Sequence, residues 1–382
     1  MEGGAPWPAG LLQPGSEGTT TTPWGEVEVL PTDLQRLQDL GEAWGDVPSL
    51  TNARDLRCDR HGRWLLVEGD GASWDVLVLR FGCGRRASAL AHKHEMAAAI
   101  EASGAAQLPV GGTVLNGHDA LLVYPHATEV GVHEDLLTSF GDAGRVLTSL
   151  GRWSTPCAER RWNDEVAVLE GRLGTSTLWR APHHPSTVGL PWIRLSLRSR
   201  IRTNDGGICF RVLPPTIDEF LSLKEPRRPG LAHAAVLEGE AVEAGCGQQE
   251  GGPEAWFHAW SSTVPHAWVA RGPMSTYRGG LWIWRYADVL KWRAAAMAWE
   301  DDDLLTSTAT WLADVDRLQA RLGVLRMWRS LAWVGLGGGI VALYAYRLDA
   351  LSSQGTAALA LASGALVALG LLRYRRAEPG AF

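Results

Sequence analysis

The chain has 382 residues, 46% of them hydrophobic, and a formal net charge of −6 at pH 7. This length is enough for one large domain or two small ones with a sizeable core. The acidic balance argues against a general nucleic-acid binder, which needs a basic surface to neutralise phosphates. The five scattered cysteines form no CxxC pair and no Cys/His cluster at zinc spacing, and they fit a reducing cytoplasm.

The first segment, residues 1–30, is rich in Gly, Pro and Thr near its start. It has neither the charged start nor the apolar stretch that a secretion signal requires. We therefore expect a disordered tail here.

The next part, residues 31–135, has the pattern of a small sheet with a helix. A short amphipathic helix is predicted at 34–44, and an Ala-rich segment predicts a longer helix at 87–103. Asn116-Gly117 is a strong tight-turn pair. Five segments have the apolar or β-branched character and the flanking turn residues of strands, at 55–59, 63–69, 74–81, 108–115 and 118–124.

Residues 136–325 are predicted to be mainly helical. A hairpin at 193–201 and 207–213 interrupts the helices, and the Gly-, Pro- and Glu-rich stretch 227–255 predicts a loop insertion. The fold class is therefore α+β, with a five-stranded sheet and helix followed by a mainly helical lobe. The helices are expected near 133–140, 143–153, 163–173, 286–299 and 303–325.

The C-terminal part, residues 326–376, contains two apolar segments without a charge, Ser330–Tyr346 and Gly355–Leu372. A membrane-spanning helix needs roughly 17–25 such residues. The eight residues between the segments are enough only for a turn. The two segments together predict a two-helix transmembrane hairpin. The bilayer is therefore the first partner that the sequence indicates.

The charges around this hairpin indicate its orientation. Arginines precede the first segment and follow the second, so the positive-inside bias places the N- and C-termini in the cytoplasm. Gly335 and Gly339 are four residues apart, as are Ala360 and Gly364, and small residues at this spacing let helices approach closely in lipid. We expect these residues to support self-association or docking to another, unidentified membrane protein.

The order of elements resembles the protein-kinase-like fold over about Arg54 to Pro215. Three antiparallel strands, a helix, two strands and then helices form the small lobe and its continuation in that family. The strand Val76–Arg80 resembles the one that carries the phosphate-binding lysine, and Glu95 lies where the ion-pair glutamate would be. The resemblance implies a two-lobed cytoplasmic domain, with Arg80 and Glu95 as a vestigial nucleotide-site pair. No cofactor is expected, and ATP is the alternative.

The departures from the family point to lost chemistry. Phosphoryl transfer in kinases uses a lysine on the phosphates, an aspartate near the substrate hydroxyl, and Asn and Asp on Mg²⁺. The lysine position holds Arg80, and the catalytic aspartate would fall at Arg194. The metal-binding positions would fall near Ser199 and near Leu213 or Pro214. An arginine can neither accept a proton nor bind Mg²⁺, so the resemblance implies a pseudokinase, a binding or regulatory module with no catalytic or metal-binding residue.

Two alternatives remain open. An atypical phosphotransferase would recruit other acids, with Asp164, Asp205 and Asp218 as candidates, converging on a cleft beside Arg80 and Glu95. An unrelated α+β domain of a membrane-associated scaffold or sensor would leave the Arg80–Glu95 pair as surface charges of little energetic weight.

Other polar clusters give weaker signals. His92 and His94 are two residues apart and do not face one direction, so metal ligation is not expected there. His183 and His184 are read as exposed imidazoles, and no elbow motif for a nucleophile accompanies His258 and His266. Glu300–Asp303 is read as a helix start, where carboxylates offset the helix dipole, with a divalent-metal site as the alternative. The histidines concerned are His92, His94, His183, His184, His258 and His266.

Overall fold

The computed structural model describes an α+β chain that divides into two compact units, 1–269 with 281–309, and 270–280 with 310–382. The residues that it describes are 18–22, 25–59, 61–69, 71–156, 166–171, 188–191, 193–216, 219, 227–269, 281–299 and 302–377.

A six-stranded sheet forms the centre of the first unit. Its antiparallel strands are β3 (Glu42–Gly45), β4 (Arg54–Cys58), β5 (Gly62–Gly69), β6 (Ala72–Leu79), β8 (Gly111–Leu115) and β9 (His118–Pro125). Across the sheet they follow the order β3-β8-β9-β6-β5-β4, with every neighbouring pair antiparallel. The predicted five-stranded sheet was wrong by one strand, because β3 adds to its edge.

The sheet strands owe their stability to apolar side chains that are removed from water. The central strands β5, β6 and β9 contribute most of the buried core, which includes Trp64, Val76–Leu79 and Leu121–Tyr124. Between β8 and β9, Asn116 and Gly117 both have positive φ, 50° and 82°, as a tight hairpin turn requires. The predicted tight turn at Asn116-Gly117 is confirmed.

Short helices cross between the strands. The predicted helix at 34–44 is shorter, α1 (Leu34–Leu40), because its last residues join the sheet as β3. The predicted helix at 87–103 is broken into α2 (Ala87–Ala91) and α3 (His94–Ala102). The buried carboxylate of Asp119 accepts the backbone N–H groups of Arg86 and Ala87 at 2.8 and 2.7 Å, so a strand residue satisfies the start of α2.

Two predictions of irregular structure were wrong. Part of the expected disordered tail forms an antiparallel hairpin of β1 (Gly18–Thr22) and β2 (Gly25–Val29), and residues 1–17 lie outside the described residues. The expected loop at 227–255 contains the short strand β14 (Arg227–Arg228), the helix α5 (Gly230–Glu243) and the start of a further helix. The Gly-, Pro- and Glu-rich composition predicted a loop, but most of the Ala, Val and Leu residues of α5 are buried in the fold.

The remaining elements of the first unit are mostly helical. The predicted helices at 133–140 and 143–153 are one helix, α4 (Leu136–Ser149), and residues 166–171 are helical. The other helices are α6 (Gly252–Ser261), α7 (His266–Val269) and α8 (Leu281–Trp299). Short strands complete the unit: β7 (Ala106–Gln107), β10 (Thr155–Pro156), β11 (Val188–Pro191), β12 (Arg200–Arg202) and β13 (Ile208–Arg211).

The C-terminal part consists of two long helices, α9 (Asp302–Arg347) and α10 (Ser353–Ala377). A Cβ added to Gly335 would meet the Ser363 carbonyl at 2.7 Å, and one added to Gly370 would meet the Trp328 carbonyl at 2.8 Å. Gly335 of α9 therefore lies beside Ser363 of α10, and the earlier Trp328 lies beside the later Gly370. The two helices pack antiparallel. Glycine at these positions permits the close approach.

Most large apolar side chains of this helix pair face outward. Leu361 is 76% exposed, and Ile340 and Tyr344 are similarly open. Among the described residues, one helix, Ser353–Arg376, is long and apolar enough to span a bilayer, with a mean hydropathy of 2.0.

Candidate functional site

A cleft of about 350 Å³ opens beside the sheet of the first unit. One wall comes from the end of β4 and the turn after it, and a second from the segment that follows β9. The rest comes from the residues before β12, the segment after β13, and helices α5 and α8. The lining residues are Arg57, Asp59, His61, Glu129–Val132, Arg194, Ser196, Arg198, Leu213, Thr216, Glu240, Glu243 and Trp292.

Arg194 lies in the interior wall of this cleft and is held by two carboxylates. Its guanidinium donates to Glu219 and to Glu240, each with an N–O distance of 2.6 Å. All three side chains are nearly buried, and a buried ion pair persists only when its partners satisfy each other. The cation is therefore neutralised within the fold.

Glu240 has further donors that fix its position. Ser196 Oγ donates to both of its oxygens at 2.9 and 3.0 Å, and the Leu197 backbone N–H donates at 2.7 Å. Ser196 also accepts from the Arg198 N–H and so caps the single helical turn Leu197–Ser199. The cleft wall is thus tied to α5 through one carboxylate with four donated hydrogen bonds.

The rim of the cleft is bridged by an ion pair. Arg57, on the edge strand β4, donates to Glu129, in the segment after β9, at 2.5 Å. Its guanidinium also lies 5.1 Å from the centre of the Trp64 ring. Burial raises the pKa of Glu129, and the charge of Arg57 opposes that shift. The two side chains are 29% and 44% exposed, so solvent partly screens the pair.

Behind the cleft a second buried ion pair joins the sheet to β13. Arg211 donates to Asp75, and both side chains are almost completely buried. Arg211 also donates to the Pro125 carbonyl at 3.1 Å, while Asp75 contacts Nδ1 of His126 at 2.8 Å. This network fixes the strands against the segment that lines the cleft.

The predicted pair Arg80 and Glu95 has a different setting from the one expected. Arg80 is buried and donates to the Leu30 carbonyl at 3.3 Å. Glu95 is exposed on α3, and its side chain accepts from Arg152 at 3.4 Å. Neither residue lines the cleft, and the nucleotide role of this pair stays a prediction.

Two of the positions matched to the kinase-like active site do come together. The Leu213 N–H donates to the Arg194 carbonyl at 3.1 Å, as an isolated antiparallel bridge, and both residues line the cleft. Ser199 turns away, since its hydroxyl donates to the Arg211 carbonyl at 3.1 Å. The place expected for catalytic acids is therefore occupied by an arginine and a leucine.

The acids proposed for the alternative enzyme do not line the cleft where the structure describes them. Asp205 is exposed in the turn between β12 and β13, where a hydrogen bond from Thr203 and the Gly207 N–H lower its pKa. Asp164 and Asp218 lie outside the described residues. In the described parts of the chain, no group of three or more His, Cys, Asp or Glu side chains could hold a metal ion.

The predicted histidines have ordinary surroundings. Nδ1 of His92 contacts the Ser88 carbonyl at 2.6 Å, and His94 begins α3. His258 and His266 are exposed. His183 and His184, together with Glu300 and Asp301, lie outside the described residues, and α9 begins at Asp302.

The sequence interpretation missed the carboxylates that hold Arg194 and the Asp75–Arg211 pair. A signal for Glu240 was present, because Glu238 and Glu240 interrupt an otherwise Ala-, Val- and Leu-rich run. Such an interruption indicates a helix that is buried all round and carries paired charges. Glu238 fits this rule, since it pairs with the buried Arg285 at 2.5 Å.

Comparison with known proteins gives a weak structural likeness. No family model and no curated protein matches the chain. A solved structure of a glucosamine kinase, in crystal form A, covers 76% of this chain and 83% of its own, with 11% identity and a TM-score of 0.41. A spectinomycin phosphotransferase, APH(9)-Ia, solved with ADP and spectinomycin, covers 82% of this chain and 93% of its own, with 12% identity and a TM-score of 0.37.

Proposed function

We propose that the chain is a membrane-anchored, cytoplasm-facing module of degenerate kinase-like fold that binds and regulates rather than transfers phosphate. The observation that carries this proposal is Arg194 at the catalytic-acid position, tied to Glu219 and Glu240. A guanidinium has no acceptor for a proton or for Mg²⁺. Phosphoryl transfer depends on both, so this position does not support it.

The nearby carboxylate of Glu240 does not replace the missing acid. It accepts from Arg194, Ser196 and the Leu197 N–H. A general base needs a lone pair directed at the substrate proton. Because the lone pairs of Glu240 are engaged within the wall, its role in the proposal is to hold the cleft open and rigid.

The test is phosphate transfer by the purified full chain in detergent micelles or nanodiscs, with ATP and Mg²⁺. Solved structures of a glucosamine kinase and of the spectinomycin phosphotransferase contain ADP, so adenine nucleotides are the first probes. We expect neither hydrolysis nor autophosphorylation above the level of heat-treated protein. Transfer that disappears in Glu240→Gln, while Glu243→Gln retains it, would overturn the proposal and favour the atypical phosphotransferase.

The membrane part of the proposal extends the one candidate span to two. The run Ser330–Tyr346 of α9 contains no charge and is bounded by Arg329 and Arg347. It packs antiparallel to α10, and its outward side chains are apolar. A charge-free run of this length and an apolar outer surface both suit hydrocarbon. Both ends would then lie in the cytoplasm, with the turn at 348–352 on the opposite side.

Two measurements address this anchoring. Leu361→Arg should weaken partition of the full chain into vesicles, because arginine at a span centre costs about 2.5–3.5 kcal/mol, whereas Leu361→Ala should stay membrane-bound. In intact cells, an impermeant maleimide should label Ser352→Cys but not the unsubstituted chain, whose cysteines would face the cytoplasm. Equal labelling of Ser352→Cys and Ala377→Cys would contradict two spans.

A membrane neighbour, either another protein or a second copy, completes the proposed role. A module that acts by binding needs a partner, and the outer surface of the hairpin is where one would dock. Crosslinking in native membranes, with Gly337→Val compared against the unsubstituted chain, tests that surface, since Gly337 has open space around it. An unchanged crosslinking pattern would indicate that the partner binds instead to the cleft domain, the unit of residues 1–269 with 281–309.

A further inference from the structure

Asp59, in the turn between β4 and β5, gathers an unusual number of hydrogen-bond donors. Its Oδ1 accepts the backbone N–H groups of His61 and Gly62 at 2.8 and 3.3 Å. Its Oδ2 accepts Nε1 of the buried Trp64 at 2.7 Å, and the Arg57 guanidinium lies 3.7 Å away. Three N–H groups and a cation therefore converge on one carboxylate.

Successive backbone N–H groups in a turn, together with an arginine, form the kind of concavity that binds an anion. In this chain the anion is supplied by the protein itself. Asp59 lines the cleft, and its side chain is 30% exposed. A phosphate that approached this end of the cleft would find the donors occupied and a negative charge in place.

The other cations of the cleft are neutralised in the same way. Arg57 is paired with Glu129, Arg198 is paired with Glu243 at 2.8 Å, and Arg194 has its two glutamates. Every described arginine in the lining thus has a carboxylate of this chain within ion-pair distance. The lining holds three arginines and four carboxylates, so it gives an anionic ligand no net Coulomb attraction to offset its loss of hydration.

The remaining lining offers hydrogen bonds and apolar contact. Leu213, Val130 and Trp292 supply apolar surface, and Thr216 supplies a hydroxyl group. A volume of about 350 Å³ lies within the range of small-molecule sites. The chemistry of the lining therefore suits an uncharged molecule of roughly nucleoside size.

We propose that Asp59 is the specificity-determining residue of the cleft, which excludes phosphorylated ligands and admits neutral, nucleoside-sized ones. The inference rests on the proposed function of the cleft as a binding site. The Asp59 carboxylate accepts the hydrogen bonds that a bound anion would accept. Removing this side chain's charge would therefore let a phosphate bind there.

The experiment compares adenosine and ADP as probes, by isothermal titration on the full chain in detergent without Mg²⁺. The native chain should bind adenosine, and ADP about tenfold or more weakly, as like-charge repulsion and unpaired donors predict. Asp59→Ala should tighten ADP binding by about tenfold and leave adenosine within about twofold. Asp59→Asn keeps an acceptor oxygen for the turn, so its affinity for ADP should lie between those of the native chain and of Asp59→Ala.

The matched control is Asp55→Asn on the same edge strand. Asp55 pairs with Arg63 outside the cleft lining, so ADP binding should not change. ADP binding as tight as adenosine in the native chain, or no gain with either Asp59 variant, overturns the inference. If Asp59→Ala fails to fold, the Asp59→Asn result decides. Phosphate transfer measured on the same samples would overturn only the proposed function, so the two failures are distinguishable.

Discussion

The cleft domain and the C-terminal helix pair follow opposite rules of burial. In the cleft domain, charged side chains are buried and paired, as in Asp75–Arg211 and Arg285–Glu238. In the helix pair, apolar side chains such as Leu361 are exposed, and glycines lie at close contacts between the two helices. The proposed membrane anchoring accounts for this difference, because lipid removes the hydrophobic driving force and leaves close packing.

The buried pairs of the cleft domain should be the most sensitive to single changes. Arg211→Ala leaves Asp75 charged and buried, so we expect a loss of about 3–5 kcal/mol in the free energy of unfolding. Guanidinium denaturation of the full chain in detergent, followed by tryptophan fluorescence, measures it.

A double variant tests whether the pair or its packing matters. Asp75→Leu with Arg211→Met should recover most of the loss, because apolar replacement of a buried ion pair is often close to neutral. If the single variant Arg211→Ala costs less than about 1 kcal/mol, the pair behaves as a surface bridge and the contrast between the two regions fails.

The buried His233 on α5 predicts a pH dependence for the cleft domain alone. Burial, assisted by Arg228 and Arg194, lowers its pKa to about 3. When the pH falls below about 6.5, the ordinary pKa of histidine, His233 becomes protonated in the unfolded chain but stays neutral in the folded chain. The histidine should therefore cost stability as the pH falls from about 6.5 towards 3, by about 2 kcal/mol between pH 7 and 5.

Denaturation curves at pH 7 and pH 5 measure this contribution. His233→Gln should lose about 2 kcal/mol less over this interval than the native chain. His258→Gln, which changes an exposed imidazole, should follow the native chain. A native chain and His233→Gln with the same pH dependence would show that the buried imidazole is protonated in the folded state.

The helix pair should respond to volume rather than to charge. Gly335→Val places carbon atoms against Ser363 and Val367 of α10, and overpacking of this kind costs about 1–3 kcal/mol. Gly337→Val changes helix propensity equally but meets open space. Faster amide exchange of α10 in Gly335→Val only is expected, and equal exchange in both variants would contradict the packed interface.

The smallest effect is expected at the exposed pair of Arg63 and Asp55. This pair lowers the pKa of Asp55 through the hydrogen bond from Arg63, but solvent screens it. Arg63→Ala should change the free energy of unfolding by less than about 1 kcal/mol, and less still at high salt. A larger loss in the same denaturation assay would mean that ion pairs stabilise this domain regardless of burial.

Much of the sheet could be predicted from sequence because its signals are local. The Asn116-Gly117 turn and the apolar runs of β5, β6 and β9 depend on neighbouring residues only. The strand β3 was missed because its few residues continue a helical pattern and become a strand only by pairing with β8. The buried helix α5 was missed because composition was read without knowledge of its neighbours.

The sequence by itself determined the five strands β4, β5, β6, β8 and β9, the apolar C-terminal segments and the absence of an acid at position 194. These follow from side-chain periodicity, hydropathy and residue chemistry. Only the tertiary structure decided how the charges are paired: Asp75 lies 136 positions from Arg211, and Glu240 lies 46 from Arg194. Such pairs depend on how distant segments pack, and the electrostatic energy that selects them exists only after water has been excluded.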